Sequence, residues 1–190
     1  MMVRMPFRRQ LFRLGVGAVF GGAAARGALA TPRRTDADVD EAARLAFVNT
    51  HTGESLDVVY REHGRYLTDA IAEIDRVLRD HRSGEVFPID RALLDQLERL
   101  GALLGTGTRA FHVISGYRSP ATNARLAARS GGVARHSLHM SGRAIDIRVP
   151  GVPLALMHRA ALSMQAGGVG YYPRTGFVHL DTGRVRHWGA

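Results

Sequence analysis

Two short alternating runs, each with one polar residue set among apolar neighbours, constrain this chain most. Ala144-Ile145-Asp146-Ile147-Arg148-Val149 and Phe177-Val178-His179-Leu180 both have the period of a half-buried strand. Successive side chains of a strand point to opposite faces. Asp146 therefore faces away from Ile145 and Ile147, and His179 away from Val178 and Leu180. Two such strands placed side by side aim both polar groups at one point. The segment just before the first run, Ser137-Leu138-His139-Met140-Ser141-Gly142-Arg143, adds an imidazole from a loop, and Gly142 lets that loop turn tightly. His139, Asp146 and His179 are ligand types that suit zinc. Three protein ligands leave the fourth tetrahedral position to water, the mark of a catalytic rather than a structural site. A metal so held brings the pKa of its water down to about 7. A lone histidine is more often a satisfied or exposed side chain, and most of the nine His here are expected to be that. The joint pattern of three residues with their flanks singles these out.

The remaining periodicities sketch the frame. Residues 45–49 and 55–60 alternate on either side of Thr52-Gly53 and predict a β-hairpin. Tyr66 to Leu78 has apolar residues at 67, 70, 71, 74, 77 and 78, a helical spacing. A second helix starts at Pro88-Ile89-Asp90, runs through apolar positions 93, 94, 97, 100, 103 and 104, and ends at Gly105 and Gly107. Phe111-His112-Val113-Ile114 is a buried strand. A short helix over 123–128 follows Pro120, and Gly131-Gly132 breaks it. A last helix spans 153–165, and Gly167-Gly168 leads into two final strands. Helices first and strands late predict an α+β fold, with a largely antiparallel sheet, flanking helices and the zinc site on the sheet.

The 45% apolar content is enough for a hydrophobic core. There is no cysteine, so any transition metal must be held by His and carboxylate. Residues 1–30 read as an export signal. Arg8-Arg9-Gln10-Leu11-Phe12-Arg13 resembles a twin-arginine motif, a Gly/Ala-rich apolar run follows from Leu14 to Ala25, and Ala28-Leu29-Ala30 has the small-x-small form of a cleavage site. The run is short and Gly-rich for a membrane helix, which needs about 20 apolar residues. Membrane contact is thus expected only during export, or if the signal stays uncleaved. Leu-Phe where Phe-Leu is usual keeps the Sec route open. Residues 31–42 read as a polar linker, and 43–190 as one domain with a periplasmic address.

The net charge of +9 must be recounted without the signal. All 26 basic residues are Arg, and five of them lie in residues 1–30, which hold no acid; the remainder carries 21 basic and 17 acidic residues, a net of +4. No basic stripe interleaved with aromatics is present, so no nucleic-acid partner is expected.

Ser-x-His-x-x-Gly-x-Ala-x-Asp with a late Val-His resembles the signature of the zinc D-alanyl-D-alanine peptidases, in the superfamily that also holds lysostaphin-type endopeptidases and the hedgehog fold. The nearer resemblance is to the murein endopeptidase K-like family. It rests also on Phe47-Val48-Asn49-Thr50-His51-Thr52-Gly53-Glu54, Leu78-Arg79-Asp80-His81-Arg82, Ser115-Gly116-Tyr117-Arg118-Ser119 and Gly167-Gly168-Val169-Gly170-Tyr171-Tyr172-Pro173, and covers nearly everything after residue 43. The resemblance implies a hedgehog/D-Ala-D-Ala peptidase-like fold, one zinc ion, and hydrolysis of peptide cross-links between peptidoglycan stem peptides. An endopeptidase is favoured over a carboxypeptidase. The alternative is a peptidoglycan-binding module that keeps the fold without catalysis.

In the related peptidases an Arg in the Ser-Gly-Tyr-Arg motif faces the substrate. Arg118 is accordingly expected to hold a carboxylate or to stabilise the oxyanion. Tyr117 and Ser137 join it as expected substrate-binding residues, with loop capping the other reading for Ser137. Several relatives carry an acid three residues before the last ligand, where this chain has Gly176. Asp181, two residues after His179 and on the same strand face, is the leading candidate for general base. Its alternative is a partner that orients a ligand. His187 and His136 are further candidates. Trp188, Tyr171, Tyr172 and Pro173 either shape a groove or pack in the core.

Overall fold

The computed structural model describes residues 42–129 and 133–189. The expected export signal, the expected linker up to residue 41, and the break expected at Gly131-Gly132 lie outside the described residues. Eight strands form one sheet: β1 (Ala42–Asn49), β2 (Ser55–Glu62), β3 (Arg65–Tyr66), β4 (Phe111–Ser115), β5 (Ala144–Arg148), β6 (Gly168–Tyr172), β7 (Phe177–Asp181) and β8 (Arg186–Trp188). Their spatial order is β3-β2-β1-β4-β5-β7-β6-β8. Only β1–β4 and β6–β8 are parallel pairs. The other five pairs are antiparallel, so the α+β expectation with a largely antiparallel sheet holds.

Among the described residues, four α-helices accompany the sheet: α1 (Thr68–Val77), α2 (Arg91–Leu104), α3 (Pro120–Arg129) and α4 (Leu154–Ser163). Asp90 caps α2 by accepting from the Ala92 amide, and Gly105 ends it in the left-handed conformation (φ 61°), a common helix stop. The apolar stripe of α2, Leu93, Leu94, Leu97 and Leu100, is fully buried against the sheet with Ile145, Ile147, Val178 and Leu180. Burying one such side chain stabilises by about 1.5–3 kcal/mol. Helices α1, α2 and α4 all pack on this face. Strand alternation then leaves Asp146 and His179 on the other face, where the site lies.

Three local differences from the sequence expectation have physical causes. Tyr66 pairs with Arg61 as part of β3 rather than opening α1, because its hydroxyl donates to Asp95 on α2 (2.6 Å) beside that of Tyr60 (2.9 Å). α3 begins at Pro120, three residues earlier than expected, since proline suits a first helical position. The loop ahead of β5 contains a 3₁₀ turn over Leu138–Ser141, which no apolar periodicity marks.

Candidate metal centre

The sheet register builds the centre. Asp146 on β5 stands directly opposite His179 on β7, and Ser115 on β4 opposite Asp146. His139 comes from the 3₁₀ turn, which Ser137 opens by accepting the His139 amide (3.4 Å) and Gly142 closes at φ 65°. A Cβ on Gly142 would stand 2.1 Å from the Pro88 carbonyl oxygen, so glycine is required there by space as well as by backbone angle.

The three side chains converge and are buried. His139 Nε2 lies 3.3 Å from His179 Nδ1 and 3.3 Å from Asp146 Oδ2, and His179 Nδ1 lies 2.8 Å from Asp146 Oδ1. Tetrahedral zinc ligands at about 2.0–2.1 Å from the ion stand about 3.3–3.4 Å apart, so the donor set fits one such ion with little adjustment. The far nitrogens are engaged too. His139 Nδ1 donates to the Gly116 carbonyl (2.7 Å), and His179 Nε2 to Asp181 Oδ2 (3.1 Å). With a metal in place, each bond would fix the tautomer and leave the lone pair of the inner nitrogen for the ion. Burial pushes the Asp146 carboxyl up, but the two imidazoles outweigh it and hold the group well below the usual range. Burial lowers the His179 pKa, while Asp146 and Asp181 on either side raise it further than burial depresses it.

Arg118 stands beside this cluster, with its guanidinium 3.6 Å from Asp146 Oδ2. It donates to Ser115 Oγ (3.2 Å) and Asn123 Oδ1 (3.4 Å), and burial depresses its pKa. Asn123 also donates to the Ala134 and Arg135 carbonyls, which ties the loop ahead of the 3₁₀ turn to Arg118. The Arg118 loop is itself stapled from below. The Tyr117 amide donates to the Leu78 carbonyl (2.8 Å), and a Cβ on Gly116 would meet that same oxygen at 2.3 Å. The motifs around 78–82 and 115–119 thus serve to position Arg118 and the carbonyl that holds His139.

A cleft of about 520 Å³ opens over the centre, lined by Arg118, His136, Ser137, Tyr172 and Trp188 among others. Trp188 lies flat over Gly170, where a Cβ would come within 2.7 Å of the ring, and donates to the Tyr172 hydroxyl (2.7 Å). Tyr172 stacks on Phe177. These aromatics form one wall of the cleft, whereas Tyr171 points to the other face and stacks on His158.

The family follows from comparison with known proteins. The sequence pattern of the family described as peptidoglycan L,D-endopeptidase MepK matches residues 37–188. The chain belongs to this family. It is 44% identical over 181 residues to the peptidoglycan L,D-endopeptidase MepK of Escherichia coli strain K12, covering 95% of this chain and 96% of that one. Against the probable peptidoglycan L,D-endopeptidase MepK of Haemophilus influenzae the identity is 40% over 144 residues, covering 76% and 77%. No solved structure matches the chain. The murein endopeptidase K-like resemblance read from the motifs is therefore the family to which the chain belongs.

Not every residue expected at the site reaches it. Tyr117 does not line the cleft. The chain turns at Gly116, and the Tyr117 ring stacks on Phe87 (4.8 Å) while its hydroxyl donates to Glu85 (2.9 Å). Burial and that carboxylate push its pKa up to about 12. His187 lies between Arg186 and Trp188 on β8, so alternation turns it away from the cleft that both neighbours line. Asp181 is on the face expected, but fully enclosed. Its carboxylate accepts from His179, from both terminal nitrogens of Arg186 (2.9 and 2.7 Å), and from the Gly168 and Gly183 amides. Burial raises its pKa, yet these donors depress it well below the usual range. Sequence reasoning missed Asn123 and Arg186, although a signal for Arg186 existed in an acid and an arginine five residues apart around Gly183.

Proposed function

We propose that this chain is an exported zinc metallopeptidase that hydrolyses peptide cross-links of peptidoglycan, on a hedgehog/D-Ala-D-Ala peptidase-like fold. The observation that carries the reading is the convergence of His139 Nε2, His179 Nδ1 and the Asp146 carboxylate, with both outer ring nitrogens already bonded, beneath an open cleft. That both relatives are named as peptidoglycan L,D-endopeptidases supplies the substrate class. A single zinc ion held by these three residues would polarise the scissile carbonyl and activate water. The protein's own groups do the rest. The Arg118 guanidinium, 3.6 Å from Asp146 Oδ2, stabilises negative charge on the carbonyl oxygen or grips a nearby carboxylate. Ser137 holds the turn that presents His139. Asp181 orients His179 and raises its basicity. Proton transfer falls to His136, which lines the cleft, is exposed, and has no hydrogen bond or ion pair among the described residues.

The cleft is open, which suits an endopeptidase substrate better than the closed pocket of a carboxypeptidase. Residues 1–30 serve as the export signal in this reading, delivering the domain to the periplasm. One specific observation favours the second reading, a binding module without catalysis: both carboxylates at the centre, Asp146 and Asp181, are already committed. Digestion of cross-linked muropeptides by the zinc-loaded protein, by His139→Ala and by His136→Gln decides between them. Cleavage by the wild type should vanish with His139→Ala, together with its zinc. It should fall about 10²–10⁴-fold with His136→Gln, zinc retained. A zinc-loaded wild type that binds peptidoglycan and cuts nothing would establish the binding module.

A further inference from the structure

The centre lies in a row that runs across β4, β5, β7, β6 and β8. Ser115 pairs with Asp146, Asp146 with His179, His179 with Gly170, and Gly170 with Trp188. Trp188 and Tyr172 stand at one end. At the other, just past the ends of β1 and β4, the chain gathers Arg118, Arg82, His81 and His51, and the metal centre does not use the last three.

That gathering is built rather than incidental. The buried carboxylate of Asp80 accepts the Arg82 amide on one oxygen (2.9 Å) and the Ser119 amide on the other (3.0 Å). The backbones of the segments bearing Arg82 and Arg118 are thereby anchored on one carboxylate. Neither guanidinium is neutralised in full. Arg82 is exposed and its side chain has no ion pair among the described residues. Arg118 has its Nε buried without a partner, and its ion contact is Asp146 at 3.6 Å. Beside them, His51 and His81 stack at 3.8 Å with their planes 11° apart, and His51 Nε2 donates to the Ile114 carbonyl (3.0 Å). Burial and the Arg82 charge push the His81 pKa down to about 4, so the ring is neutral near pH 7. It offers hydrogen bonds rather than charge.

Resting on the peptidase reading above, we propose that Arg82, with Arg118 and the His51–His81 pair beside it, forms an anion subsite that takes a free carboxylate of the stem peptide, beyond the cleft residue Arg118 on the side of the metal centre away from Trp188. A guanidinium fork matches a carboxylate in two-point geometry, and stem peptides carry such groups. The subsite would thus fix which way round an asymmetric peptide lies across the metal centre.

The test is binding, read separately from turnover. Calorimetric titration of the zinc-loaded full chain uses one stem peptide in two forms, with free carboxylates and with those groups as carboxamides. The wild type should hold the acid form on the order of tenfold more tightly. Arg82→Gln should bring the two forms within about twofold, Arg82→Lys should fall between, and the unfolding midpoint should not move because Arg82 is exposed. Retention of the preference by Arg82→Gln overturns the subsite, as does a wild type that binds both forms equally or neither. Muropeptide digestion by the same samples reports on the peptidase reading alone. Loss of cleavage with the binding preference intact would remove that reading and leave the subsite standing.

Discussion

Asp181 carries the sharpest lesson at the scale of single residues. Strand parity put it on the face of His179, and so it stands, 3.1 Å from His179 Nε2. Parity cannot reveal that Arg186 and two backbone amides fill the same carboxylate. A base must be free to take a proton near the working pH, and this group is enclosed with a depressed pKa. Those bonds suit a partner that orients His179. Asp181→Asn should therefore weaken zinc binding by about 10–100-fold, as loss of such a partner typically does. Chelator competition would measure it. A variant that keeps wild-type zinc affinity yet loses turnover would return Asp181 to the role of base. The convergence of Asp146 and His179 was legible because strand period and residue type coincide, and that of His139 from the motif around it. Tyr117 was misplaced because a sequence motif does not disclose the turn at Gly116 that swings it toward Phe87.

Among elements, those with local signals were legible and those defined by partners were not. The hairpin, α2 with its Asp90 cap and Gly105 stop, and strands β4, β5 and β7 all follow from periodicity and capping residues. Strand β8 has three residues, and it is a strand only because Gly168–Gly170 of β6 offers it a parallel edge. The parallel β1–β4 pair likewise joins segments more than sixty residues apart, which no window can see. The N-terminal segment is a different case, since its signal is chemical rather than periodic. If Arg8 and Arg9 form the recognition pair of a twin-arginine signal, replacing both with Lys should leave the precursor in the cytoplasm, as fractionation of expressing cells would register. Normal export of that double variant would assign the segment to the Sec route. Among the described residues, no helix is long and apolar enough to cross a membrane.

For the molecule as a whole, the question is whether the metal is needed to fold it. Small zinc domains are often unfolded without metal because the site is their core. Here the core lies on the opposite face of the sheet, where α1, α2 and α4 cover Phe47, Ile145 and Val178, all fully buried with Leu93 and Leu97 of α2. The ligands also satisfy one another in the structure, with His179 bridging Asp146 and Asp181. Removing the metal should consequently leave a folded, cooperative domain of lower stability. A ligand that binds only the folded state at about 100 times its dissociation constant adds about 2.7 kcal/mol. For a domain of this size each kcal/mol moves the midpoint by about 2–4 °C, so zinc should raise it by roughly 5–11 °C. Calorimetry of the mature domain, stripped by chelator and then reloaded, reads this directly. A stripped protein with no cooperative transition would mean that the site, and not the leucine-rich face, holds the fold together. A midpoint indifferent to zinc would mean that His139, Asp146 and His179 do not bind it.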